Sequence, residues 1–192
     1  MPDQPVTLWA GNIALKALII IDMQMEMQHR IEAGMDCVNP DAPDRIAALA
    51  EGFRRKGMPI LHIRHRDEDA ASAFHQSAAG FPVMPCAEAY DDELVFLKRT
   101  SSGFASTDLA SHLRAEGITD LVVTGAVAGF CVNSTVRNGA DLGFKMTVVR
   151  DAVIGFDLPD AGLSAKVIFD VTMAHLEADF AQLVDTSDIL AA

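Results

Sequence analysis

Lys16–Met23 reads KALIIIDM, an unbroken apolar run from Ala17 to Ile21 that stops at Asp22. A strand with one face in water alternates apolar and polar residues. A run this uniform reads instead as a strand buried on both faces, as in a parallel sheet covered by helices. Further along the chain, Met58–Ile63 (MPILHI), Leu94–Leu97 (LVFL), Asp120–Thr124 (DLVVT), Lys145–Val149 (KMTVV) and Ala181–Val184 (AQLV) are short apolar or β-branched runs of the same kind. Between them the period lengthens to that of helices. Ile46, Leu49 and Phe53 follow Pro43 and Asp44 and stop at Gly57, and Leu109 and Leu113 follow the candidate caps Ser106 and Thr107 and stop at Gly117. Val132, Val136 and Ala140 stop at Gly143, and Leu163, Val167, Val171 and Ala174 form a fourth apolar stripe. Strand alternates with helix and no longer unit repeats. The expectation is a single α/β domain over residues 1–192, a doubly wound, Rossmann-like, six-stranded and mostly parallel sheet with helices on both faces.

A chain of 192 residues suits one core, and with half of its residues apolar and 22% charged it is not intrinsically disordered. Fifteen basic against 27 acidic residues give a net charge of −12, which repels a phosphate backbone, so nucleic acid is not an expected partner. The Ala17–Ile21 run is far too short to span a membrane and the first residues lack an export signal, so a cytoplasmic protein without membrane contact is expected. Cys37, Cys86 and Cys131 form no CxxC pair and no disulfide framework.

Two segments interrupt the alternation. Arg64–Glu93 is polar, carries Gly80, Pro82 and Pro85, and is longer than an ordinary connection. A lid, a partner surface and a plain solvated loop are all open readings. Asp36–Asp44 (DCVNPDAPD) is a shorter excursion expected to border a pocket.

Ligands in open α/β sheets bind outside the carboxyl ends of the strands. Asp22, Lys98 and Cys131 leave three such ends, which would gather a carboxylate, an ammonium and a thiol at one edge. Alone, each has a plain explanation: a turn aspartate, a solvated lysine beside Arg99, a small buried cysteine. Thr124–Val132 (TGAVAGFCV) sharpens the combination, because its small residues make a tight strand-to-helix turn with Cys131 at the helix start. Backbone N–H groups there are expected to lower the thiol pKa and to receive a negative oxygen. Neither GxGxxG nor a GKS or GKT ending is present, so nucleotide binding is weakly supported.

Asp22 in LIIIDMQ, Lys98 in FLKRTSSGFAST and Cys131 in VTGAVAGFCVNSTVRNGADLGF, with VVRDA at Val148–Ala152, resemble in order and spacing the signatures of the isochorismatase-like cysteine hydrolases. The resemblance runs from about Ala17 to Leu190. It implies that Cys131 is the nucleophile, that Asp22 takes its proton and passes it to the leaving nitrogen, and that Lys98 holds both in register. It also implies a cis peptide between Ala126 and Val127, with the N–H groups of Val127 and Cys131 as the oxyanion hole. Gln24, Met27, His65, Phe104 and Phe130 are the expected substrate-binding residues. The expected substrate is a small amide, carbamoyl or ureido compound cleaved through a thioester, without a cofactor. An ether hydrolase of the isochorismatase type and a non-catalytic binding or assembly module remain the alternatives.

The chain departs from the family pattern at Met25, Glu26 and Met27, where Asn-Asp-Phe is common, and at Val127, Ala128 and Gly129. The nicotinamidases of this family bind a metal. Here His62, His65, Asp67 and His75 are the nearest candidates, but His62 and His65 are expected to face opposite sides of a strand, so no metal ligands are assigned. A homo-oligomer is the expected assembly, with the Phe74–Met84 loop as one surface for it.

Overall fold

A computed structural model describes residues 15–191. Its sheet has the strand order β2-β6-β5-β1-β3-β4, with β7 also paired to β6. The strands are β1 (Leu15–Ile21), β2 (Cys37–Val38), β3 (Ile60–His65), β4 (Leu94–Lys98), β5 (Ile118–Ala126), β6 (Lys145–Phe156) and β7 (Ala181–Val184). The helices are α1 (Met25–Glu32), α2 (Ala42–Arg55), α3 (Leu109–Ala115), α4 (Asn133–Asp141), α5 (Ala165–Asp179) and α6 (Thr186–Ala191).

β1 is parallel to both β3 and β5, and the other long strands follow the same sense. Burial along β1 explains its uniform sequence. Ile19 and Ile21 join Leu61, Ile63, Val132, Val136 and Phe169 on one face, while Leu18 and Ile20 join Ile46, Leu49, Phe53 and Ile154 on the other. Each such side chain contributes about 1.5–3 kcal/mol relative to exposure.

The six expected strands are present, and the expected count is corrected to seven by β2. That strand is two residues long and antiparallel, with Cys37 opposite Phe156 and Val38 opposite Gly155. It forms because β6 continues past Val149 to Phe156 and offers its far half as an edge. Two helices carry no clear signal in the sequence: α1 buries only Met27, and α6 is only six residues long, at the end of the described chain.

The fourth apolar stripe also needs correction. α5 exists, but it turns Ala165, Phe169, Thr172, Met173 and Leu176 to the sheet and leaves Val167 and Val171 about half exposed. The helix carries two apolar stripes, and the larger side chains of the second win the core. The 66–93 segment, by contrast, is packed down. Met84 is buried, Phe74 and Val83 lie against the second core cluster, and Arg54 on α2 grips Glu93 at 2.7 Å. Among the described residues no helix is long and apolar enough to cross a membrane.

Candidate active site

β1 lies between β3 and β5, with β4 beyond β3, so the carboxyl ends of these strands emerge side by side. Asp22 leaves β1 with φ +50, a left-handed conformation that aspartate tolerates better than most side chains. Its N–H is tied to the Ile63 carbonyl at 2.8 Å. Lys98 ends β4 directly across from His65 at the end of β3. Cys131 follows β5 through a turn that begins at Gly125, whose φ is +118 and where an added Cβ would lie 2.1 Å from the Ile21 carbonyl oxygen. Only glycine fits there. The Ala126–Val127 peptide is cis, and the Val127 carbonyl accepts from the N–H groups of Phe130 and Val132. Ala128–Val132 forms one π-helical turn leading into α4, a wide-turn irregularity often found at functional sites.

Lys98 is fully buried and its Nζ is the hub of the cluster. It lies 2.7 Å from Asp22 Oδ2, 2.9 Å from His65 Nδ1 and 3.3 Å from Cys131 Sγ. An ammonium has three N–H donors, and here each has one acceptor. Donation to Nδ1 puts the His65 ring proton on Nε2, which donates to Asp67 Oδ1 at 2.9 Å. Asp67 also accepts from the Ser72 hydroxyl at 2.5 Å, and Phe74 sets its ring edgewise against His65. Asp22 Oδ1 is buried and has no hydrogen-bond partner among the described residues, so it is a spare acceptor inside the cluster.

Burial raises the Asp22 carboxyl above its ordinary range, against the pull of Lys98. Burial likewise pushes the Cys131 thiol up to about 12, with the Asp22 charge adding to it and Lys98 opposing. This corrects the expectation of a thiol acidified by a helix start. Loss of solvation and a neighbouring carboxylate outweigh the turn's dipoles, so the resting sulfur is a thiol beside a strengthened base. The Ser72 hydroxyl, followed by the His65 ring, holds Asp67 below the usual carboxylate range.

Ligand atoms of Asp22, His65 and Cys131 fall within 4.8 Å of one another, a spacing suited to a cation. The Lys98 ammonium already stands among them. A divalent ion bound by the same three atoms would be pressed against that charge, so a metal does not fit. His62, by contrast, turns away to Glu93 at 2.8 Å.

The expected pocket residues separate into two groups. His65 belongs to the cluster, and Phe130, beside Cys131, is half exposed. Gln24 is buried and grips the chain instead: its amide accepts from the His65 N–H at 2.8 Å and donates to the carbonyls of His65 and Phe81. Met27 lies in one core cluster, and Phe104 lies in the other, stacked on Phe144. What went unread in sequence is the His65–Asp67 link to Lys98, which depends on β3–β4 register. A separate cavity of about 560 Å³ opens at the opposite, amino-terminal edge of the sheet, lined by Leu15, Ile60, Ile118, Arg54 and Glu93. Its arginine is committed to Glu93, and its lining holds no cysteine, serine, threonine or lysine, so chemistry rather than volume locates the candidate site.

Residues 16–185 match the model of the Isochorismatase domain. The uncharacterized isochorismatase family protein YrdC of Bacillus subtilis is 30% identical over 178 residues, covering 91% of this chain and 94% of that protein. Ureidoacrylate amidohydrolase RutB of Cronobacter sakazakii is 32% identical over 170 residues, covering 71% of this chain and 73% of its own. The crystal structure of an isochorismatase-family protein from Chromobacterium violaceum superposes with a TM-score of 0.87 at 30% identity, over 95% of both chains.

Proposed function

Since the chain belongs to the isochorismatase family of hydrolases, we propose that it cleaves a carbon–nitrogen bond of a small amide, carbamoyl or ureido compound, with Cys131 as nucleophile, Asp22 as proton carrier and Lys98 as their anchor. The observation that carries this reading is the Lys98 ammonium, bonded at once to the Asp22 carboxylate and the Cys131 sulfur in a buried setting. Kinship with an amidohydrolase supports the bond class.

As substrate displaces water, Asp22 takes the Cys131 proton and the sulfur attacks the carbonyl carbon. Carbon–sulfur bond formation moves the carbonyl electron pair onto oxygen, towards the N–H groups of Val127 and Cys131. Collapse breaks the carbon–nitrogen bond, and Asp22 gives its proton to the departing nitrogen. A water then attacks the thioester carbon and loses a proton to Asp22, and that proton returns to the sulfur as the acid product leaves. Lys98 keeps its charge throughout, offsetting the anion that moves between Asp22 and Cys131. His65 and Phe130 are assigned to the pocket wall, and the three free cysteines fit a reducing, cytoplasmic setting.

A screen of primary amides, carbamoyl compounds and ureides for ammonia release tests the reading, run beside Cys131→Ala. Turnover that disappears in the variant, with a trapped thioester on the wild-type sulfur, is the expected result. A substrate cleaved equally well without the thiol would overturn it.

A further inference from the structure

The sheet is uneven at its amino-terminal edge. β3 begins at Ile60, but β4 begins only at Leu94, which pairs in register with Leu61, and α2 and α3 end nearby at Arg55 and Ala115. The space left between these ends is the cavity of about 560 Å³, within the range of sites that hold small molecules. Its floor is apolar, built from Leu15, Met58, Ile60, Leu61, Leu94 and Ile118, and Leu94 is 44% exposed there. The charges of its wall do not balance. Arg54 donates to both carboxylate oxygens of Glu93, at 2.7 and 2.9 Å, and its guanidinium lies 3.8 Å from the centre of the Tyr90 ring, so this cation is already matched. Asp92 and Glu116 also line the cavity, and neither carboxylate has a hydrogen bond or an ion pair among the described residues.

Glu116 is the more telling of the two. It is the C-cap residue of α3, where the helix carbonyls carry partial negative charge and a cation, not a carboxylate, is favoured. Arg114 in the preceding turn does not compensate, because it is turned onto the Phe144 ring and the Leu142 carbonyl. The His112 ring lies against Phe96 and bonds to neither carboxylate. A local rule broken without compensation inside the chain is expected at a functional site. We infer that the cavity is a binding site for a small organic cation, an ammonium group carried on an apolar body about the size of one aromatic ring. The apolar body covers Leu61 and Leu94, and the ammonium faces Asp92, Glu116 and the carbonyl end of α3. An anion would meet two carboxylates and no uncommitted lysine or arginine among the described lining residues. A neutral molecule would leave both carboxylates unmatched. The site lies at the opposite edge of the sheet from Asp22, Lys98 and Cys131, so it does not rest on the reaction proposed above.

Titration of the isotope-labelled full chain with phenylbutylammonium, followed by amide NMR, tests this. Saturable shifts should gather at Gly57, Leu94, His112 and Ile118. Phenylbutanol, the same body without charge, should bind about tenfold less tightly, and phenylbutyrate should not saturate. Glu116→Gln and Asp92→Asn should each weaken binding of the cation about threefold, as exposed charge pairs do, and together about tenfold. Without the probe, Glu116→Gln should raise the thermal midpoint by about 1–3 °C, because the helix end loses a misplaced charge. Leu94→Arg sets a fixed cation in the cavity and should abolish binding, and the two carboxylate variants carry the test if that chain fails to fold. No saturation up to about 10 mM, equal affinity for the three probes, or binding indifferent to both carboxylate variants would overturn the inference. Shifts centred on Cys131, or contacts from residues 1–14 of the chain itself in place of the probe, would overturn it as well.

Discussion

Lys98 Nζ and Asp22 Oδ2 lie 2.7 Å apart with both side chains withdrawn from water. A buried pair is poor evidence of net stability, but removing one partner strands the other charge. Lys98→Met should therefore cost about 3–5 kcal/mol in urea unfolding and abolish turnover. Adding Asp22→Asn should recover a large part of the stability and none of the activity. Equal and additive losses would mean that the two groups do not share one buried ion pair.

The pH profile follows from the same pair. In the proposed mechanism Asp22 acts only when ionised, and burial holds its carboxyl above the ordinary range. The acid limb of kcat/KM should accordingly fall at a higher pH than about 4, the value of a free aspartate. With the thiol pushed up to about 12, alkylation of Cys131 by iodoacetamide should be slow at neutral pH and rise steadily through pH 9 and beyond. A plateau near neutrality would reveal a resting thiolate and contradict the protonated sulfur.

Acid stability should be governed at the other end of the sheet. Burial works to raise Glu93, but hydrogen bonds from Arg54 and His62 prevail and hold it at about 2, from 4.5. A carboxyl depressed in the fold adds stability above its unfolded value, and that stability is lost as pH falls from about 4.5 towards 2. His62, lowered by burial, acts in the same direction below its ordinary range. Glu93→Gln should flatten the acid limb of stability by about 1–3 kcal/mol, read as urea midpoints at pH 7 and pH 3. An unchanged difference between the two pH values would rule the cluster out.

The strand-to-nucleophile turn can be tested without touching chemistry. Gly125→Ala forces a Cβ to 2.1 Å from the Ile21 carbonyl oxygen at φ +118, and should cost more than about 3 kcal/mol. Gly57→Ala, also at positive φ but with nothing within 4 Å, should cost about 1 kcal/mol. Similar thermal shifts in the two variants would show that the close approach to β1 is not what requires glycine.

The parts of this molecule legible in sequence are those set by local pattern. Asp22 and Lys98 each end an apolar run and Cys131 opens the helix after another, and parallel strands bring such ends to one edge, so their gathering was legible in the pattern while their roles came from the family resemblance. The protonated sulfur was not legible, because the start of a helix is visible in TGAVAGFCV and the burial that outweighs it is not. α5 shows the same limit. Leu163, Val167 and Val171 keep helical spacing as faithfully as Ala165, Phe169 and Leu176, and only the shape of the sheet decides which set turns inward. β2 went unread since two residues carry no period, and Gln24 was assigned to substrate because its use as a clamp on His65 depends on a neighbouring strand.

That clamp points to the last prediction. In the proposed mechanism Lys98 serves Asp22 and Cys131 while its third proton is accepted by His65 Nδ1, which requires the ring proton to stay on Nε2. Asp67 fixes this tautomer from a loop position, without touching the trio. Asp67→Asn permits the amide to offer a donor to Nε2, which would move the ring proton to Nδ1 and aim it at the ammonium. The expected result is a fall in kcat of about 10–100-fold with KM little changed, as for other partners that orient a catalytic side chain. Ser72→Ala, which removes only the hydroxyl bonded to Asp67, should give a smaller loss in the same parameter. A substantial rise in KM with kcat preserved would instead place Asp67 in the pocket wall, and no change in either would leave His65 oriented by Gln24 and Phe74 alone.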